Sequence, residues 1–181
     1  ERFGLHPSDI AFDPLVLPIS TGMASDRRSA LELIEGIKLI AADFPESQSI
    51  VGLSNVSFGL NPVARVVLNS AFLHELRAAG LTGAIVHASK ILPENKIDPV
   101  HWQAALDLIY DRRDVSNGGT GLPEWLLKGE NPGNTELPAD KASFDPLQRF
   151  IDLFKDAQAA KVAKKSLADL PLEERLRSHI I

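Results

Sequence analysis

Apolar residues along this chain follow two alternating rhythms. Short runs with few polar breaks, at residues 10–16, 50–51 and 83–88, read as buried strands. Between them apolar residues recur three and four apart, which is the spacing of one helix face. Ala30, Leu33, Ile34, Ile37, Ile40 and Ala41 predict a helix over 29–42, which Ser25 or Asp26 can cap and Phe44-Pro45 stops. Val63, Val66, Val67, Ser70, Leu73 and Leu76 predict a second helix that Gly80 ends, and Asn61-Pro62 gives it a cap and a proline at the first helical position. Asp98-Pro99 opens a third through Trp102, Leu106, Ile109 and Tyr110 to Arg112-Arg113. Asp145-Pro146 opens a fourth, with Leu147, Phe150, Ile151 and Phe154 on one face. These similar starts use ordinary capping and are not a sequence repeat. Strand and helix in alternation predict parallel βα units, hence an α/β fold.

The pattern changes between residues 114 and 144, where Gly118, Gly119, Gly121, Gly129 and Gly133 mix with Pro123, Pro132 and Pro138. Such composition predicts a loop or linker, with room for one helical turn around 124–128. Residues 1–113 therefore read as βα units, 114–144 as linker and 145–181 as helical. Within that last part a Lys/Ala-rich stretch at 157–165 is expected to be solvated, and Asp169-Leu170-Pro171 starts a final amphipathic piece. The chain opens on Glu1-Arg2-Phe3-Gly4-Leu5 without Met and stops in helical phase at Ile181, so it is expected to be a fragment.

Composition narrows the classes. An apolar content of 44% and a charged content of 24% are those of a soluble globular protein. Its 181 residues suffice for one domain with a sizeable core but fall short of the about 250 of a complete (β/α)8 barrel. A net charge of −5 points away from nucleic acid and from membrane surfaces. No apolar run reaches the roughly 20 residues of a membrane span, and no signal peptide opens the chain. With no cysteine there is no disulfide and no thiolate metal site, which fits a cytoplasmic location. Of the five histidines, His6, His74, His101 and His179 read as solvated or packed, and no pair has the close spacing of a zinc site on one helix. His87 differs, lying beside Ser89 near a strand end, where it would line a site mouth.

Candidate chemistry gathers in residues 49–65, SIVGLSNVSFGLNPVAR. A buried strand at Ile50-Val51 leads through Gly52-Leu53-Ser54-Asn55 and Phe58-Gly59-Leu60 into the helix that Asn61-Pro62 starts. This leaves Ser54, Asn55 and Ser57 at the carboxyl end of a strand, where α/β folds bind ligands. The plainer reading is an ordinary strand-to-helix turn. Asp13 likewise stands at a strand tip, because Pro14 lacks an N–H and holds Asp13 extended; the plainer reading is a turn-forming Asp before Pro.

GLSNVSFG, followed by NSAFLHELRAAGL and GAIVHASK, resembles the methyltetrahydrofolate-binding domain of cobalamin-dependent methionine synthases, most nearly their long bacterial forms. The resemblance covers nearly the whole chain. It implies the C-terminal part of a (β/α)8 barrel of the dihydropteroate synthase-like, pterin-binding kind, followed by a helical linker to the cobalamin-binding module, whose cap LPLEERLRSHII resembles. The implied reaction is methyl transfer from 5-methyltetrahydrofolate to cob(I)alamin in making methionine from homocysteine. A tertiary amine leaves only if its nitrogen gains a proton or a strong hydrogen bond, so positioning and preorganised polarity carry the work and no protein nucleophile is needed.

By position, Asn55 matches the family Asn beside the reactive nitrogen and is the catalytic candidate; an amide donates or accepts without changing charge. The match makes Asp13 the carboxylate that accepts from the donor edge of the pterin. Gly52 would admit close approach of backbone to ligand, Ser54 would add a hydroxyl or backbone contact, and Arg65 aligns with a family Arg near the ligand, with a solvated surface Arg as the plainer reading. Phe58 and Ile91 would be apolar walls or simply core. The family's other pterin-binding Asp and Asn residues, on earlier strands, are absent from this sequence, so the isolated chain is expected to be inactive. Cobalamin would be bound by another module of the parent, since the DxHxxG-type motif is missing, and zinc only by a further one that has cysteines. The open edges of a partial barrel also invite pairing with another copy.

Three rivals are weighed. Dihydropteroate synthase carries a basic G-x-S-R-K pattern where Gly52-Leu53-Ser54-Asn55-Val56 stands here, so the charges that hold a diphosphate are lost. A stand-alone methyltransferase that donates to a corrinoid protein shares GLSN, but the linker and the LPLEERL ending favour the multi-module enzyme. A non-catalytic fragment that only packs against a partner is the third.

Overall fold

The computed structural model describes residues 4–113 and 145–155. Its strands are β1 (Ala11–Phe12), β2 (Gln48–Gly52) and β3 (Gly83–Ile85). Its α-helices are α1 (Ser29–Asp43), α2 (Pro62–Ala78), α3 (Pro99–Ile109) and α4 (Pro146–Leu153). The strands lie parallel in the order β1-β2-β3, with Ala11 opposite Gln48 and Ile50 opposite Gly83. Because α1 joins β1 to β2 and α2 joins β2 to β3, the architecture is two successive crossover units, as parallel pairing requires. The linker expected at 114–144, the lysine-rich stretch and the final amphipathic piece lie outside the described residues.

β2 is central because its alternation serves two faces. Ser49 and Val51 point into the helical layer and are buried, Val51 completely. There Val51 joins Ile34 and Ile37 of α1 and Leu68, Phe72 and Leu76 of α2 in one core. Gln48, Ile50 and Gly52 face the other way, in register with Ala11, Gly83 and Ile85. Ile85 is 66% exposed, so among the described residues this second face of the sheet is open. Thr82 pins the entry to β3: its Oγ1 donates to the Ser49 carbonyl and accepts from the Ser49 N–H, both at 2.8 Å.

α4 runs back along α3 and completes the same core. Arg149 donates to the buried carboxylate of Asp107 at 3.0 Å, and Arg113 pairs with Asp145 near the end of α3. At the other end Phe154 packs on His101, with ring centres 4.6 Å apart. Phe150 and Phe154 are fully buried, as the apolar face predicted. His74 is exposed, with its ring edge-on to Trp102.

The three cap-and-proline starts hold as expected. Asn61, Asp98 and Asp145 accept from the N–H of Ala64, Val100 and Leu147 at 2.9, 2.8 and 3.0 Å. Other boundaries differ. The run at 10–16 pairs only over Ala11–Phe12, since Pro14 cannot donate to a ladder. The run at 83–88 stops at Ile85 and turns into a 3-10 helix, Ala88–Lys90, with His87 as its cap. α1 begins on Arg28 without a side-chain cap, because Asp26 is spent accepting from Thr21 Oγ1 at 2.6 Å inside the Ala24–Asp26 turn. α3 ends at Ile109, short of Arg112-Arg113, as Asp111 takes a positive φ of 46°.

Candidate functional site

The carboxyl end of β2 continues directly into a 3-10 helix, Leu53–Ser57. Its apolar members dictate how it sits: Leu53 and Val56 are fully buried, which turns Ser54 and Asn55 outward. Both are exposed, and among the described residues the Asn55 amide has no hydrogen-bond partner. Gly52 precedes them at φ −79°, a conformation open to any residue, and a Cβ built there meets nothing within 4 Å. Neither backbone strain nor crowding within the described chain asks for glycine at this position.

Two neighbouring segments hold the loop. From α2, Arg65 donates through Nη2 to the Ser54 carbonyl and through Nε to Ser57 Oγ, each at 3.1 Å. Ser57 Oγ in turn lies 2.8 Å from Asn69 Oδ1, to which it donates. From the segment after β1, the Ile19 N–H donates to the Val56 carbonyl at 3.1 Å, and Ser20 Oγ donates to the Phe58 carbonyl. The carbonyls that a short helix leaves without internal partners are thereby satisfied.

The structure brings Gly52, Ser54, Asn55 and Arg65 together. Asp13 stands one residue past Phe12, which is level with Ser49. It is exposed and lies about 7 Å below Gly52 along the strand direction, at roughly 3.3 Å per residue. Ser57, expected at the mouth beside Ser54, is instead completely buried and faces α2. His87 is exposed past the end of β3, with Nδ1 3.1 Å from Ser89 Oγ. Phe58 is 67% exposed at the loop's end. Ile91 belongs elsewhere: it lines a groove of about 1000 Å³ between α2 and α3, with Ser70, His74 and Trp102, to which no residue of 52–58 contributes.

Asn69 and Ser20 escaped the sequence reading. For Asn69 a signal existed: it follows Arg65 by one helical turn, so the two polar side chains share one face of the helix. For Ser20 there was none, because its partner is a carbonyl 38 residues away.

Among the described residues no group of His, Asp or Glu could hold a metal ion, and no helix is long and apolar enough to cross a membrane. The site is an open arrangement at a strand end in which the exposed groups Ser54 and Asn55 are neutral, the Arg65 guanidinium is engaged with the loop, and one carboxylate, Asp13, follows the neighbouring strand. Such a set suits a flat, polar heterocycle better than a phosphate or a metal.

Residues 1–87, which include this site, match the family described as pterin binding enzyme. Across 99% of its length the chain is similar to methionine synthases: 42% identical over 183 residues to that of Mycobacterium tuberculosis and 41% to that of Mycobacterium leprae. The chain spans about 13% of the length of each of these relatives. Residues 1–87 thus carry a likeness to the pterin binding enzymes, and nearly the whole chain a likeness to one segment of the methionine synthases.

Proposed function

We propose that this chain supplies part of the 5-methyltetrahydrofolate site of a cobalamin-dependent methionine synthase, a methyltransferase that passes the methyl group to cob(I)alamin. The observation that carries the reading is the 3-10 helix at the end of β2, which turns outward, beside Ser54, an Asn55 amide that has no partner among the described residues. In this reading Asn55 hydrogen-bonds the pterin at the nitrogen that loses the methyl group, stabilising charge as the carbon–nitrogen bond breaks. Ser54 adds a second polar contact. Asp13 accepts from the aminopyrimidine edge, deeper along the open sheet face. The space over Gly52, which nothing in the described chain fills, is where the heterocycle approaches the backbone. The open face of the sheet then corresponds to the inner wall of a (β/α)8 barrel, of which these strands are the last.

Cobalamin's DxHxxG-type ligand motif is missing from this sequence, so in this reading cobalamin is held elsewhere. It belongs to another module of the parent, as does zinc, and the roles assigned to Asn55, Ser54 and Asp13 depend on neither. The test is calorimetric titration of 5-methyltetrahydrofolate into the full chain, with Asn55→Ala beside it. Binding that disappears in the variant supports the placement. Equal binding by both would move the pterin away from this strand.

A further inference from the structure

Arg65 sits one turn into α2, near the loop that presents Asn55, and its guanidinium is turned onto that loop rather than out over it. Two of its donors are committed, one to the Ser54 carbonyl and one to Ser57 Oγ. The serine hydroxyl accepts from Arg65 and has one proton of its own, which the 2.8 Å contact directs to Asn69 Oδ1 rather than to the more distant Ser54 carbonyl at 3.2 Å. A directional chain results, from Arg65 through Ser57 to Asn69, and Ser57 is completely buried within it. Burial raises the stakes: a hydroxyl that loses its partners there cannot turn to water.

We infer that Arg65, Ser57 and Asn69 are positioning residues, a clamp by which α2 sets the orientation of Ser54 and Asn55 from behind the site. The clamp takes its functional meaning from the proposed pterin site, but its geometry stands without it. Among the described residues the loop is also held by the burial of Leu53 and Val56 and by the bonds from Ile19 and Ser20 to the Val56 and Phe58 carbonyls; none of these bonds Ser54 or Asn55, so the facing of that pair is left to another contact. The bidentate grip of a guanidinium does fix it, because two parallel donors define a plane. Lysine, a single point of attachment, would hold one acceptor and release the other.

The experiment has a ligand-free arm and a ligand arm, both on the full chain. By hydrogen exchange, Arg65→Lys and Asn69→Ala are expected to speed exchange of the Phe58 amide, which bonds the Asn55 carbonyl, at least about tenfold. The amides of α3 should be unmoved. In the second arm 5-methyltetrahydrofolate is titrated into wild type, Arg65→Lys, Asn55→Ala and the double variant. A clamp acting through Asn55 predicts about a tenfold weakening for Arg65→Lys alone and no further weakening on the Asn55→Ala background. Additive losses would mean that Arg65 touches the ligand itself, and unchanged Phe58 exchange would mean that the loop does not need the clamp; either overturns the inference. If wild type fails to bind, or if Asn55→Ala binds normally, the pterin reading fails while the exchange data still decide the clamp.

Discussion

Asn61 and Phe154, 93 residues apart, meet through one side-chain amide: Asn61 Oδ1 caps α2 by accepting from Ala64, and Asn61 Nδ2 donates to the Phe154 carbonyl at 3.2 Å. The helix that follows the candidate site is thus fastened through its N-cap to the end of α4.

The two functions of that amide separate by substitution. Asn61→Ala loses both and should cost about 1–2 kcal/mol, a cap being worth about 1. Asn61→Asp keeps the acceptor, and its charge is favourable at a helix N-terminus, but it cannot donate to Phe154. It should therefore restore most of the stability in urea denaturation while leaving the amides of α4 faster to exchange than in wild type. Identical α4 exchange in Asp and wild-type chains would show that the contact with Phe154 holds nothing.

Asp107 concentrates the other end of the α3–α4 contact. Its carboxylate accepts from Gln103, Arg112 and Arg149 at 2.9, 3.3 and 3.0 Å. Removing it takes away the anion that lies between two guanidinium groups. The arginines are partly exposed, which screens the penalty, so Asp107→Ala should lose about 2 kcal/mol rather than the larger cost of a fully buried pair. Arg149→Ala, which removes only one of the three donors, should cost less. If Asp107→Ala is the milder of the two in denaturation, the carboxylate is not the hub.

These tertiary fastenings mark where the sequence stopped being legible. The helices were readable from periodicity, and three of their starts from the Asn-Pro and Asp-Pro steps, because caps and proline act within three residues. Placement of Gly52, Ser54 and Asn55 at a strand end was readable for the same reason. Ser57 was not, because its burial depends on Arg65 and Asn69 approaching from the next helix. The paired part of β1 was shorter than its apolar run, since a strand needs a partner's register as well as its own composition. Asp26 was misplaced as a helix cap because Thr21 competes for its carboxylate.

Gly80 is one place where the backbone itself demands glycine. Its φ is +107°, and a Cβ there would stand 2.7 Å from the Cβ of Ala41 on α1. Gly80→Ala must therefore strain the turn that leaves α2 and push α1 away from it, for about 1–3 kcal/mol. The melting temperature should fall by at least about 4 °C. A fall of less than about 1 °C would mean that the α2–β3 turn relaxes freely.

Asp111 gives stability a pH dependence opposite to that of most carboxylates. Burial holds its carboxyl above the ordinary value of 3.8, outweighing the attraction of Arg113, whose Nε lies 2.7 Å away, and of Arg27; Asp145 adds to the rise. The folded state therefore keeps this proton at pH values where the unfolded chain has released it. Between 3.8 and the raised native value the native state binds more protons, so this group's contribution to stability falls as pH rises through that window. Asn has no such titration and tolerates the positive φ that Asp111 adopts. Urea denaturation of wild type and Asp111→Asn across the acid range should show the variant gaining on wild type as pH rises from about 4, then a constant gap. A gap that moves the other way would mean that the ion pair with Arg113 outweighs desolvation and that Asp111 stabilises the fold by its charge.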